Sequence, residues 1–117
     1  MKIVNVTPHS IWFRQQDGSE YEVLPSGVRL GAEFQEEVVG RREGATLVKI
    51  KVVPASGAME KLAELEVANP GALIVDSLMG AQAFPGRVVA LIAAGHERGT
   101  APADRRYLDD RFTVFTS

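Results

Sequence analysis

The sequence predicts an α+β fold, in which an antiparallel strand meander is followed by a short strand-helix-strand unit in the C-terminal half. Three observations lead to this prediction. Asp17-Gly18 is a strong hairpin signal between two strand-like segments. In residues 48–52, apolar side chains alternate with lysines, as in a strand with one buried face. Residues 72–75 and 88–94 are wholly apolar, and the chain between them is just long enough for a parallel crossover.

The first half of the chain is predicted to be antiparallel strands because β-branched and aromatic residues alternate with turn residues. The predicted strands are 2–6, 10–15, 19–24, 33–39 and 45–53, with a polar turn at 40–44. In the last strand, we expect Val48, Ile50 and Val52 to face the core and Lys49 and Lys51 to face solvent.

The second half combines helices and apolar strands. A helix is predicted over residues 57–65, with Ser56 as its N-cap and Met59, Leu62 and Ala63 on its buried face. Alternation in residues 64–67 also allows a strand there.

Further along, the strand at 72–75 leads into a short helix that Pro85-Gly86 ends, and the strand at 88–94 follows. Residues 95–106 are predicted to be a polar loop, and residues 111–116 a last strand.

Length and composition restrict the class of protein. The 117 residues, of which 45% are hydrophobic, predict a single domain spanning 1–117 with a real core. The chain has no cysteine, its net charge is −2, and its start lacks the apolar run of a signal peptide. We therefore expect a cytoplasmic protein with no nucleic-acid duplex and no membrane as partner, and no cofactor. Nine of its 13 cationic residues are arginine, which is compatible with a heat-tolerant source.

The N-terminal residues carry a family resemblance. Residues 1–11, with Asn5-Val6-Thr7-Pro8-His9 at their centre, resemble the opening of a family of small uncharacterised bacterial and phage proteins. Those proteins begin with a strand followed by Asn-Leu-Thr-Pro-His. Residues 72–77, 85–87 and, loosely, 106–111 are similar to later segments of that family. Asp76 stands where the family usually has serine, and residues 55–69 do not match. The resemblance implies a phage or mobile-element context and supplies no mechanism.

Asn5, Thr7 and His9 are the first candidate ligand-binding residues. They follow a predicted strand, and ligands of open sheets commonly lie at strand ends. His9 could transfer protons near neutral pH or bind a phosphate oxygen. The alternative is that Asn5 and Thr7 hydrogen-bond the turn backbone while His9 ends the hairpin.

Asp76 and Ser77 are candidates because they stand where an apolar strand enters a helix, whose free N–H groups can bind an anion. Capping of that helix by one of the two side chains is the favoured interpretation. Ser77 lacks the surrounding glycines of a nucleophile elbow.

His96 and Arg98 lie in a loop between Gly95 and Gly99 and complete the candidate set. Arginine suits the bidentate recognition of carboxylate or phosphate. A solvated turn is the alternative. We predict that His9 and this loop converge on one concavity, since both follow the ends of apolar strands.

The other charged and aromatic residues are expected to have structural roles. The mixed charges between Asp104 and Arg111 suggest surface ion pairs, and no metal site is predicted. Trp12, Phe13 and Tyr21 are expected to form core and cross-strand contacts.

These residues favour a small binding protein that holds a small anionic ligand such as a nucleotide. One alternative is a nucleotide-acting, phosphodiesterase-like enzyme that uses a histidine, whose catalytic residues the sequence does not identify. Another is a protein–protein interaction module whose edge strands pair with a partner or with another copy of the chain, which would give a homo-oligomer.

Overall fold

Eight strands and two helices follow one another in the computed structural model of the chain, which describes residues 1–95 and 99–116. The helices are α1 (Ala58–Ala68) and α2 (Leu78–Ala83), and a short 3-10 turn, Pro102–Asp104, precedes the last strand. The strands are β1 (Ile3–Asn5), β2 (Ile11–Arg14), β3 (Glu20–Val23), β4 (Ala32–Arg42), β5 (Ala45–Pro54), β6 (Leu73–Asp76), β7 (Val89–Ala93) and β8 (Tyr107–Val114).

Six of these strands form one mixed sheet in the order β1-β6-β7-β8-β2-β3. The predicted strand-helix-strand unit is confirmed, because β6 and β7 are parallel neighbours joined through α2. The two predicted hairpins, β2–β3 and β4–β5, are antiparallel as expected. The α+β class is therefore confirmed.

The N-terminal strands nevertheless do not form one continuous meander. β1 pairs in parallel with β6, and β4–β5 is a separate two-stranded sheet. The physical reason lies in residues 24–31, which cross the end of the sheet after β3. Pro25 forms a bridge with Asn5, and the Ser26 N–H donates to the Asn5 carbonyl oxygen at 2.8 Å.

One face of the six-stranded sheet encloses an inner apolar cluster. Ile11, Phe13 and Val75 are its buried members, and all the residues packed around them also come from the sheet. Every one of the six strands contributes a side chain to this cluster. The sheet therefore curls around its own side chains, and β1 meets β3 at one end.

The other face packs against the helices and forms an outer apolar cluster. Val4 and Ile74 of the sheet are buried there, and α1 contributes Ala58, Leu62 and Leu65. These helical residues are spaced at i, i+4 and i+7, which places them on one side of α1. Met59 and Ala63, predicted to be buried, are exposed because they lie off that side. Gly57, with φ of 79°, is the N-cap instead of Ser56.

β4 and β5 form a long hairpin, which we call the arm. β4 continues to Arg42, so the turn at Glu43-Gly44 is tighter than predicted. Lys49 and Lys51 are exposed as predicted. Val48 and Val52 are only half-buried, and Ile50 is 56% exposed, which corrects the expected burial of the whole stripe.

At the C-terminus, β8 begins at Tyr107, well before the strand predicted at 111–116. Its register against β7 shifts between Leu91 and Ala93. Within the described part of the chain, no helix has the length and apolarity needed to cross a membrane.

Candidate functional site

The turn between β1 and β2 is organised by the side chain of Asn5, which is 1% exposed. Its Nδ2 donates to the backbone oxygens of His9 at 2.7 Å and Val23 at 3.2 Å. Its Oδ1 accepts from the Thr7 N–H at 2.9 Å and from Thr7 Oγ1 at 2.6 Å. Both amide hydrogens and both lone pairs of Asn5 are therefore used within the protein.

Thr7 supports the same turn. Its hydroxyl lies 2.6 Å from Asn5 Oδ1 and 3.0 Å from the His9 oxygen, and its one hydrogen can be donated to either. Asn5 and Thr7 thus fix the backbone of residues 5–9. The side chain of His9 is exposed at the end of this turn. Its imidazole makes no hydrogen bond with any residue in 1–95 or 99–116.

His9 lies at the rim of a cavity of about 380 Å³. The cavity is bounded on one side by the start of β2 and its neighbour β3, and on the other by the 3-10 turn and the start of β8. It is lined by His9, Ser10, Trp12, Glu22, Pro102, Ala103, Arg105 and Tyr107. Its volume falls in the lower part of the range typical of small-ligand sites.

Trp12 is held in this wall by its neighbours. Ile11 and Phe13 are buried in the inner cluster, so the alternation of the strand turns Trp12 to the opposite face. Glu22 stands opposite Trp12 across the β2–β3 pair. The guanidinium of Arg106 lies 5.1 Å from the centroid of the Trp12 ring, a cation–π distance.

Arg106 is fixed by a second contact, to Glu20. The Glu20 carboxylate accepts from Arg106 Nε and from Arg14 Nε, each at 3.0 Å. These hydrogen bonds, first that of Arg106, hold the pKa of Glu20 below its usual value. The charge of Arg106 is therefore already paired with a carboxylate beside the cavity.

Arg105 is the cationic side chain that lines the cavity itself. Its Nε donates to the carbonyl oxygen of Thr100 at 3.0 Å, which holds the stem of the side chain on the 3-10 turn. A guanidinium has five N–H donors, so this contact leaves others for a ligand.

Ser77 caps α2, and neither Asp76 nor Ser77 belongs to the lining of the cavity. Ser77 Oγ accepts from the Gly80 N–H at 3.2 Å, and Asp76 Oδ1 accepts from the Ser77 N–H at 2.7 Å. Burial raises the pKa of Asp76 above its usual value. Because β1, β6 and β7 are parallel, these two residues lie at the C-terminal end of β6, beside Asn5 at the C-terminal end of β1.

His96 and Arg98, the other predicted ligand-binding residues, lie outside the described residues. The predicted convergence of His9 with their loop therefore stays a prediction. Among the residues that the structure describes, no group of three or more metal-ligating side chains occurs.

Trp12, Glu22, Arg105 and Tyr107 were not predicted as site residues. Residues 10–14 carried a usable signal, because strand alternation places Trp12 on the same face as the polar Ser10 and Arg14. Arg105 had no such signal, since it reaches the cavity beside the 3-10 turn Pro102–Asp104, which is far from His9 in sequence.

A second cavity, of about 530 Å³, lies between β1 and β3 where these edges separate. Tyr21 and Asp109 are among its lining residues, and the Tyr21 hydroxyl donates to Asp109 Oδ2 at 3.0 Å. Burial first, and this hydrogen bond second, raise the pKa of Tyr21 to about 12. The cavity contains none of the predicted ligand-binding residues and no cationic side chain in its lining. The cavity at His9 is therefore the better candidate.

Comparison with protein-family models, curated proteins and solved structures finds no match to this chain. The family resemblance of the N-terminal residues therefore stays a prediction.

Proposed function

We propose that the protein binds a small anionic ligand, such as a nucleotide, in the cavity at His9. The observation that carries the proposal is the combination of an imidazole, an indole and a guanidinium, from His9, Trp12 and Arg105, around one cavity of about 380 Å³. Imidazole and guanidinium groups suit phosphate oxygens. An indole offers a planar apolar surface to a base.

Glu22 restricts the ligand further. Its carboxylate lines the same cavity and would repel a ligand that is anionic throughout. A nucleotide avoids this conflict because its base and sugar carry hydrogen-bond donors at a distance from the phosphate. The proposal therefore favours a nucleoside phosphate over inorganic phosphate or a simple dicarboxylate.

Trp12 gives a direct test because it is the only tryptophan of the chain and lines the cavity. Titration of a panel of nucleoside monophosphates and diphosphates should change its fluorescence with a saturable dependence on concentration. In calorimetry, His9→Ala and Arg105→Ala should each weaken binding by about 1–3 kcal/mol, the effect of losing a hydrogen bond to a charged group. Arg111→Ala is the matched control, since Arg111 is exposed and does not line the cavity.

The fate of the nucleotide separates binding from catalysis. Recovery of unchanged nucleotide after incubation and denaturation supports a binding protein, whereas conversion supports the nucleotide-acting alternative. No fluorescence change and no heat with any member of the panel would contradict the proposal.

A further inference from the structure

The arm exposes an unusual share of the chain's apolar side chains. Among the described residues, five of its large hydrophobic side chains are between 37% and 66% exposed: Phe34, Val38, Val39, Leu47 and Ile50. Single exposed apolar residues are ordinary on protein surfaces. A cluster of them on one element is typical of an interaction site.

The strand register shows that the arm has one mainly apolar and one mainly charged face. Directly paired residues of antiparallel strands share a face, and successive pairs alternate between faces. Gln35 pairs with Lys51, and Glu37 with Lys49, on the charged face, which Leu47 shares; Val39 lies at a register shift between Val38 and Gly40. The opposite face, which we call the arm face, is formed by Phe34 with Val52, Glu36 with Ile50, and Val38 with Val48. The exposed apolar side chains of the arm face are therefore Phe34, Val38 and Ile50.

Only the base of the arm face is covered within the chain. Ala32 and Val52 pack against the outer apolar cluster beside α2. Beyond them, Ile50 and Val38 are exposed at 56% and 66%. A two-stranded hairpin by itself is marginally stable in water, so the outer part of the arm lacks the cover that such an element needs.

We propose that the arm face packs against the arm face of a second copy of this chain, with the two arms antiparallel about a two-fold axis beside Val48. In a two-fold interface the same patch is used on both copies, so it must be complementary to itself. The arm face meets this condition in both its apolar and its charged residues.

The self-complementarity follows from the register. Arg41 pairs with Thr46, which alternation places on the same face as Val48 and Ile50. Glu36, opposite Ile50, and Arg41, opposite Thr46, lie equally far from Val48 on its two sides. An axis at Val48 therefore brings Glu36 of each copy opposite Arg41 of the other, with the valines in contact between them.

The contact is small. With the axis at Val48, residues 45–51 of β5 lie opposite the same residues of the second copy, an overlap of about 24 Å at the rise of a β-strand. Two strands about 4.8 Å apart make this overlap about 10 Å wide, so roughly 240 Å² of each arm face is covered. An area of this size is typical of weak interfaces, so the dimer should form at high protein concentration and dissociate on dilution. The interaction-module alternative placed a partner at the sheet edges, whereas this inference places it on the face of the arm.

The proposed contact is separate from the proposed ligand site. No arm residue is among those that line the cavity at His9. Failure of the nucleotide titration would leave the dimer proposal intact, and a monomeric protein would leave the ligand proposal intact.

Sedimentation equilibrium of the full chain tests the proposal. At high protein concentration the wild type should sediment at twice its chain mass of 12.7 kDa. Val38→Glu should sediment as a monomer, because it places two carboxylates close together across the axis. Lys51→Glu is the matched control, since it introduces a glutamate into the charged face and should remain dimeric.

A charge exchange tests the arrangement of the two arms. Glu36→Arg and Arg41→Glu should each raise the dissociation constant about tenfold or more, because each places like charges opposite one another. The double variant restores opposite charges and should recover most of the wild-type affinity. If circular dichroism shows that Val38→Glu does not fold, the double variant still tests the proposed dimer.

Three results would overturn the proposal. A wild-type monomer at high protein concentration would show that no second copy covers the arm face. A dimer that survives Val38→Glu would use another surface. If the double variant dimerises no more tightly than either single variant, the antiparallel arrangement of the two arms is excluded.

Discussion

The side-chain amide of Asn5 donates a hydrogen bond to the carbonyl oxygen of Val23 at 3.2 Å, and so joins β1 to β3. These are the two edge strands of the six-stranded sheet. The backbone oxygen of Asn5 accepts a further hydrogen bond from Ser26. One buried residue therefore closes the curled sheet and also shapes the turn that presents His9.

Asn5→Ala should destabilise the protein by about 1–3 kcal/mol, because it leaves the partly buried carbonyl groups of His9 and Val23 without their donor. Asn69→Ala is a matched control, since Asn69 is the only other asparagine and its side chain makes one hydrogen bond within residues 1–95 and 99–116, to the Leu65 oxygen at the end of α1. Its loss should cost less than that of Asn5. Urea denaturation measures both, and equal losses would contradict the closing role of Asn5.

Local signals in the sequence were sufficient for the hairpins and for the crossover. Asp17-Gly18 correctly predicted one turn, and the two apolar runs correctly predicted β6 and β7. The pairing of β1 with β6 could not be predicted, because it joins segments about 70 residues apart by backbone hydrogen bonds that any apolar strand can make. The separation of β3 from β4 depends on the hydrogen bond from the Ser26 N–H to the Asn5 carbonyl oxygen, which is also a non-local contact.

The candidate site was predicted only in part for the same reason. The N-terminal motif pointed to Asn5, Thr7 and His9, and the structure connects these three by hydrogen bonds. The other wall of the cavity comes from residues 102–107, whose distance in sequence from His9 hides their proximity. Arg105 was therefore not predicted as a site residue, since nothing near it in sequence distinguishes it from Arg106.

Gly80→Ala should destabilise the protein although alanine is the better helix former by about 1 kcal/mol. A Cβ at position 80 would overlap the carboxylate of Asp76, which is held by the Ser77 N–H. The expected net loss is about 1–3 kcal/mol, as for overpacked cores. Thermal or urea unfolding measures it.

A double-mutant cycle identifies the cause. In an Asp76→Gly background, every side-chain atom of Asp76 that obstructs position 80 is absent, so Gly80→Ala should cost clearly less than in the wild type. The same loss in both backgrounds would show that the overlap with Asp76 is not responsible.

The buried carboxyl of Asp76 should make the protein less stable as the pH rises above about 4. Burial raises the pKa of Asp76 above the usual 3.8, so the folded protein holds this proton more tightly than the unfolded chain. This proton therefore stabilises the folded state at low pH, and the stabilisation is lost as the pH rises through the pKa of Asp76 in the folded protein. Urea denaturation at a series of pH values should show the free energy of unfolding of the wild type falling relative to that of Asp76→Asn.

Asp17 provides a control of opposite sign. Hydrogen bonds from Ser19, first from its side chain, lower the pKa of Asp17 below 3.8. The stability of the wild type relative to Asp17→Asn should therefore rise with pH over the acid range. A wild-type curve that does not fall relative to that of Asp76→Asn would contradict the burial effect on Asp76.

Ile74 and Ile50 offer the same chemical change in two different environments. Ile74 is 3% exposed in the outer apolar cluster, and Ile74→Ala should cost about 2–5 kcal/mol, because it leaves a cavity in a packed core. Ile50 is 56% exposed on the arm face, so Ile50→Ala should cost less than about 1 kcal/mol in protein dilute enough to be monomeric. The same variant should weaken the proposed dimer at higher concentration, since Ile50 would then be covered by the second copy. Denaturation at two protein concentrations separates the two effects. A large loss for Ile50→Ala in dilute protein would show that the arm packs against its own chain.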